Sequence, residues 1–223
     1  MLRTTPFSYV CGRCSRCCYH KGISLNPYEV LRLARHEGMS TTEFIDHFTD
    51  TGGTQLAQGE NGACVFLGEQ GCRVHTDRPL VCRIYPLGRH ISAEGEETFS
   101  EMQAHPQTEG IYAKDGTVGD YLEAQGATDF MLAADRYLNL FKLMTDALSA
   151  ELNGLTENEQ QVVMDQYVQP EQDTAFVAAW LDIDSAVEKY CRESGIVKPS
   201  QIEQLMELHL KVLTEWSTTT SNA

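Results

Sequence analysis

The sequence predicts an α+β protein: a small cysteine-rich, metal-binding half of short hairpins and helices, followed by an all-helical acidic half. Cysteine placement is the first reason. Seven of the eight cysteines fall in the first 82 residues, four of them in the run Cys11-Gly12-Arg13-Cys14-Ser15-Arg16-Cys17-Cys18. Charge is the second. Residues 1–92 carry ten Lys/Arg against eight Asp/Glu, a balance of +2, whereas residues 93–223 carry seven against twenty-four, a balance of −17, so the second part carries more than the whole net −15. The third is periodicity, which turns purely helical past residue 127. The expected division is a cysteine-cluster domain over 1–126 and a helical region over 127–223, with the break inside 105–127.

In chain order, Ile23-Ser24-Leu25 reads as a short strand or extended turn. Asn26-Pro27-Tyr28-Glu29 opens a helix, with Asn26 as cap and Pro27 in its first turn; Gly38 ends it. Ser40-x-x-Glu43 is a capping box for a second helix that Gly52-Gly53 stops. Ala63–Leu67 and Cys72–His75 read as a hairpin turned by Gly68–Gly71, placing Cys64 and Cys72 at neighbouring strand ends. Asp77 is positioned to cap a short helix bearing Cys82 and ended by Pro86. Leu87–Ile91 and Glu97–Met102 form a second hairpin across Ser92–Glu96. His105-Pro106 opens a polar loop, and Gly119–Gly126 is a short helix. Thr128 then caps a long helix whose Phe130, Met131, Ala134, Tyr137, Leu138, Phe141, Met144, Leu148 and Leu152 follow a 3.6-residue period. Thr156-x-x-Glu159 starts another, with Val162, Val163 and Tyr167. Two more cover about 174–193 and 200–216, and the tail from Ser217 is frayed. Trp180 and Trp216 read as core anchors. Cys191 lies inside a late helix, as a core residue.

No apolar run of signal-peptide length opens the chain, and no segment approaches the ~20 residues of a membrane span. The expected compartment is the cytoplasm, without membrane attachment. Thiols stay reduced there, and clustered cysteine reads as metal-binding rather than as disulfides. So acidic a chain is a poor partner for nucleic acid. Thiolate is a soft ligand suited to zinc or an iron–sulfur cluster. Two-residue spacing lets Cys11 and Cys14, or Cys14 and Cys17, turn toward one centre. Either three close thiolates with a remote one, or one CxxC pair with Cys64 and Cys72, would fill a four-ligand site. Arg13, Arg16, Lys21, Arg73, Arg78, Arg83 and Arg89 lie near the cysteines in sequence and would offset thiolate charge.

The pattern Cys11-x-x-Cys14-x-x-Cys17-Cys18, Cys64-Val-Phe-Leu, then Cys72 followed by Arg78-Pro79-x-x-Cys82-Arg83-x-x-Pro86 resembles the bacterial YkgJ-type CxxCxxCC cysteine-cluster family, described as zinc- or iron-chelating. The likeness spans about residues 8–126. It implies that Cys11, Cys14, Cys17, Cys18, Cys64, Cys72 and Cys82 are metal ligands. Where many similar proteins carry an eighth cysteine, this chain has His105, whose imidazole could complete the set. Val74-His75 also departs from the family's usual Ile-Tyr, and His75 is a second candidate donor or a hydrogen-bonding histidine. Three functions stay open: a metal-cluster protein in binding, redox or maturation; a protein-modifying enzyme similar to flagellin lysine N-methylases; or an interaction module with a structural metal. The partner, protein or small molecule, is not identified. No GxGxxG, P-loop, HExxH or GxSxG motif occurs.

Overall fold

Segments far apart in the chain gather into two units in the computed structural model, which describes residues 1–50, 53–156, 158–160 and 180–220. Met1–Ser24 with Leu56–Leu132 form the first unit, and Leu25–Gln55 with Ala133–Ala223 the second. The elements that build the site and the cores are, in order, β1 (Pro6–Val10), α1 (Pro27–Glu37), α2 (Thr41–Phe48), β2 (Leu67–Gly68), β3 (Gly71–Cys72), α3 (Leu80–Arg83), β4 (Leu87–Ile91), β5 (Glu97–Glu101), β6 (Ile111–Thr117), α4 (Val118–Ala124), α5 (Thr128–Leu152), α6 (Ile183–Ser194) and α7 (Ile202–Thr220). The architecture is α+β: small antiparallel strand pairs with helices.

In the first unit β1 pairs antiparallel with β6, Tyr9 opposite Tyr112 and Val10 opposite Ile111. Phe7 and Tyr9 point inward and their neighbours outward, the two-residue alternation of a half-buried strand. The expected hairpin of β4 and β5 is present, with Leu87 opposite Glu101 and Ile91 opposite Glu97. Thr117 caps α4 through a reciprocal capping box with Asp120. Phe7, Tyr9, Ile84, Leu87, Phe99, Tyr121, Leu122 and Met131 form one apolar core. Removing that surface from water is the chief force holding this unit.

In the second unit α1 and α2 begin with the predicted capping boxes at Asn26/Glu29 and Ser40/Glu43. Leu31, Ile183, Val187, Cys191 and Leu205 form its core cluster, so Cys191 is the apolar residue the sequence suggested. A polar knot joins α2 to α6. Arg35 grips Asp184 with two bonds of 2.8 and 2.7 Å, Lys198 reaches it at 2.9 Å, and the Thr41 amide donates to it at 2.9 Å. Burial opposes the charged form of Asp184, but hydrogen bonds from Arg35, Lys198 and Thr41 outweigh it and hold the carboxyl well below its usual range.

Several local expectations change. Ser24 makes a lone bridge rather than a strand. The cap of α3 is Pro79, not Asp77, and it supplies no side-chain bond. In α5 the inward stripe is Phe130, Met131, Ala133, Tyr137 and Leu140, while Leu138 and Phe141 stand 52% and 48% exposed. One residue of drift turns a helical position through about 100°, enough to leave the buried face. Trp180 packs on Tyr137 and Phe141, but Trp216 is 42% exposed. The last helix runs on to Thr220, past the expected fraying point at Ser217. The Thr156/Glu159 box is formed. Val162, Val163, Tyr167, Gly52 and the start of the helix predicted at 174 lie outside the described residues. Among the described residues no helix is long and apolar enough to cross a membrane.

Candidate metal centre

The cysteine run leaves the end of β1 and is shaped by its own backbone. Gly12 sits so close to the chain at Glu109 that a Cβ there would lie 2.5 Å from the Glu109 carbonyl oxygen. Arg13 and Ser15 follow with φ of 54° and 61°, left-handed values that side-chain-bearing residues seldom adopt. Arg16–Cys18 then make one turn of 3₁₀ helix. At its end the chain pairs with the Cys64 segment: the Cys64 amide donates to the Cys18 carbonyl at 2.8 Å, Tyr19 bridges Ala63, and the His20 amide donates to the Gly62 carbonyl at 2.8 Å. The second cysteine segment is thus tied by main-chain bonds to the first.

Cys64 lies in a turn closed by the Leu67 amide on the Cys64 carbonyl at 2.9 Å, and pairing starts only at Leu67 opposite Cys72. The hairpin is shorter than the sequence suggested, with Cys64 leading into it rather than ending a strand. Cys82 is carried on α3.

The Arg13 amide donates to Cys11 Sγ at 3.4 Å, the Phe66 amide to Cys64, and the Val74 amide to Cys72, each from two residues downstream. An amide hydrogen aimed at sulfur favours the thiolate. Burial is nonetheless the larger influence at Cys64 and Cys72 and pushes both thiols up. Cys17 and Cys18 behave as a pair. The Cys18 thiol donates to Cys17, drawing Cys17 down to about 6 and pushing Cys18 up.

Cys11, Cys17, Cys18, Cys72 and Cys82 line a single cleft of about 270 Å³ in the first unit. Its walls also carry Arg13, Arg78, Arg83 and His75, with Tyr9, Tyr85 and Tyr121 on the aromatic side. Arg83 is fixed by bonds to the Gln125 and Thr76 carbonyls at 2.8 and 2.6 Å and lies 4.0 Å over the Phe130 ring. Arg78 bonds Gln125 Oε1 at 2.7 Å. Burial, then the Arg78, Arg13 and Arg83 charges, hold the His75 imidazole below its ordinary pKa. Burial, then the neighbouring Cys11, push the Tyr9 phenol up to about 12.

Of the predicted donors, five therefore line the cleft. Cys64 is an electrostatic neighbour of Cys72. Cys14 is half-buried between the two left-handed residues, outside the cleft wall. His105 is exposed and also outside the wall, its Nδ1 accepting from the Gln107 amide at 3.1 Å. Arg89 bonds Glu97 at 2.6 Å instead of lining the cleft. Among the described residues no three Cys, His, Asp or Glu side chains are grouped tightly enough to hold an ion in this conformation. What fits a metal is the donor chemistry: soft sulfur, amide hydrogens already directed at it, and arginines to balance its charge. Sequence reasoning missed Tyr9, Tyr121 and Gln125, which reach the cleft from β1, from α4 and from the residue that caps α4 at its C-terminus. The Phe7-Ser8-Tyr9-Val10 alternation was the available signal. Residues 10–106 match the model of the CxxCxxCC family, whose description reads "Putative zinc- or iron-chelating domain". No curated protein and no solved structure matches the chain.

Proposed function

We propose that this chain, whose residues 10–106 are a CxxCxxCC domain, binds zinc or an iron–sulfur centre through Cys11, Cys14, Cys17, Cys18, Cys64, Cys72 and Cys82 and handles metal or electrons in the reducing cytoplasm. One observation carries the reading: the backbone amides two residues downstream of Cys11, Cys64 and Cys72 favour their ionised sulfurs. Hydrogen bonds to a charged acceptor are roughly twice as strong as those between neutral groups. Such bonds gain most when the sulfur is ionised, and a bound cation ionises it. The arginines of the cleft serve the same end by offsetting thiolate charge.

Seven thiols exceed one four-coordinate site, so the set accommodates two ions, or a cluster with a second ion. Zinc would supply a rigid crosslink or a Lewis acid, and an iron–sulfur centre one-electron chemistry. The chain's own residues shape the site: Gly12 lets the loop lie against residue 109, and the Cys18–Cys64 backbone bond fixes the spacing of two cysteine segments. His105 is the candidate eighth donor, through Nε2, once its loop turns toward the cysteines.

Anaerobic purification, metal analysis and an absorption spectrum test the reading. A brown protein absorbing broadly near about 400 nm identifies iron–sulfur; a colourless protein holding stoichiometric zinc identifies zinc. Less than one ion per chain, after attempted reconstitution with each, overturns it. Loss of metal from His105→Ala seats the eighth donor, and full retention removes it.

A further inference from the structure

His75 lies in the wall of the cysteine cleft, and Arg78 grips it on one side. Arg78 Nη1 stands 3.1 Å from His75 Nδ1 and bonds the carbonyl oxygen of the same residue, while Nη2 is anchored on Gln125 Oε1 at 2.7 Å. A guanidinium has five donors and no acceptor, and it does not deprotonate in proteins. Nδ1 must therefore turn its lone pair toward Arg78. The single proton of the neutral ring then sits on Nε2. The tautomer follows from the partner's chemistry.

That assignment decides between two roles. A metal-bound histidine usually donates its second ring N–H to a carboxylate, a carbonyl or water, which fixes the ring and strengthens the ligand. His75 has a cation in that place. Coordination through Nε2 would move the proton to Nδ1 and set two donors face to face. The ring is instead built to donate. Sulfurs share its cleft, among them Cys17, Cys72 and Cys82, beside the side-chain oxygens of Ser15, Gln70, Gln125 and the three tyrosines.

We propose that His75 is a positioning residue of the metal centre and not a ligand: Arg78 holds its tautomer, and Nε2–H donates a hydrogen bond to a cysteine sulfur in the cleft. An N–H bond to a ligand thiolate withdraws electron density from the sulfur. It lowers thiolate-to-metal donation and, at an iron centre, raises the reduction potential. The inference rests on the metal-binding reading above.

Two measurements test it. In metal-free protein labelled with ¹⁵N-histidine, two-bond proton–nitrogen correlation spectra should show His75 as the Nε2–H tautomer, and Arg78→Gln should release it to a mixture. In cobalt(II)-loaded protein, His75→Phe should retain the wild-type number of ions and the wild-type d–d bands. Its thiolate-to-cobalt charge-transfer band should move to lower energy, and His75→Gln, which keeps an N–H, should restore part of the shift. An Nδ1–H tautomer in the wild type, a lost ion or altered d–d bands in His75→Phe, or an unmoved charge-transfer band in that variant each overturns the proposal. If the phenylalanine variant does not fold, the wild-type tautomer still decides. A wild type that takes up no cobalt, zinc or iron sinks the metal reading and this inference together; one that loads normally but carries Nδ1–H sinks this inference alone.

Discussion

A cysteine's neighbours decide what it does here. Cys191 is 6% exposed among Leu31, Ile183, Val187 and Leu205, while Cys11 and Cys17 face a cleft that arginines share. Cys14→Ser and Cys17→Ser are each expected to lower bound metal per chain, measured by elemental analysis. Cys191→Ser should leave metal unchanged and cost about 1–2 kcal/mol in denaturant unfolding, because a hydroxyl replaces an apolar thiol in a dry core. Asp184→Asn should cost about 2–4 kcal/mol; the figure is kept below that of a fully buried pair because Arg35 and Lys198 are each about a third exposed. The folded carboxyl is held below its unfolded value, so its contribution is complete above roughly pH 4 and fades as pH falls toward the depressed folded value. Stability measured against pH should therefore lose part of its acid limb in Asp184→Asn. At this scale the sequence disclosed which atoms are soft donors. It did not disclose the orientation of His75, which depends on a contact with Arg78 and, through it, on Gln125 in another element.

Elements whose signals are local were legible in advance. The boxes at Asn26/Glu29 and Ser40/Glu43 close over three residues, so their geometry is written in a four-residue string. Ser40→Ala should lower thermal stability by about 1 kcal/mol. The β1–β6 pair was not foreseen, since its strands lie about a hundred residues apart and neither carries a turn signal of its own. The Cys64 hairpin was foreseen but drawn too long. Its upstream backbone groups are taken instead by the Cys18–His20 and Ala57–Gly59 segments, the former a pairing with no local trace in the sequence. Gly62 is where that pairing is most exacting: its φ is +74°, and a Cβ would lie 2.1 Å from His20 Nδ1. Gly62→Ala should cost about 1–3 kcal/mol and also reduce metal uptake, read by titration with zinc and a chromogenic competitor.

For the whole molecule, the charge imbalance and the change of hydrophobic period mark two kinds of sequence along the chain. They could not tell that Leu25–Gln55 groups by contact with the carboxy-terminal helices, because α1 and α2 are amphipathic and would suit either core. Each unit has its own apolar cluster. A strong chelator should lower the midpoint of one thermal transition by roughly 10 °C or more, since structural metal supplies folding energy, and leave a second near its original temperature. Calorimetry with and without chelator reads both. The interior place of Cys191 also gives the experimenter an internal chronometer. In a chelator-treated sample, alkylating reagents will find the clustered sulfurs quickly but must await an opening of the α6 region before they mark this one. Its labelling rate then times the excursions of the second unit without any added probe.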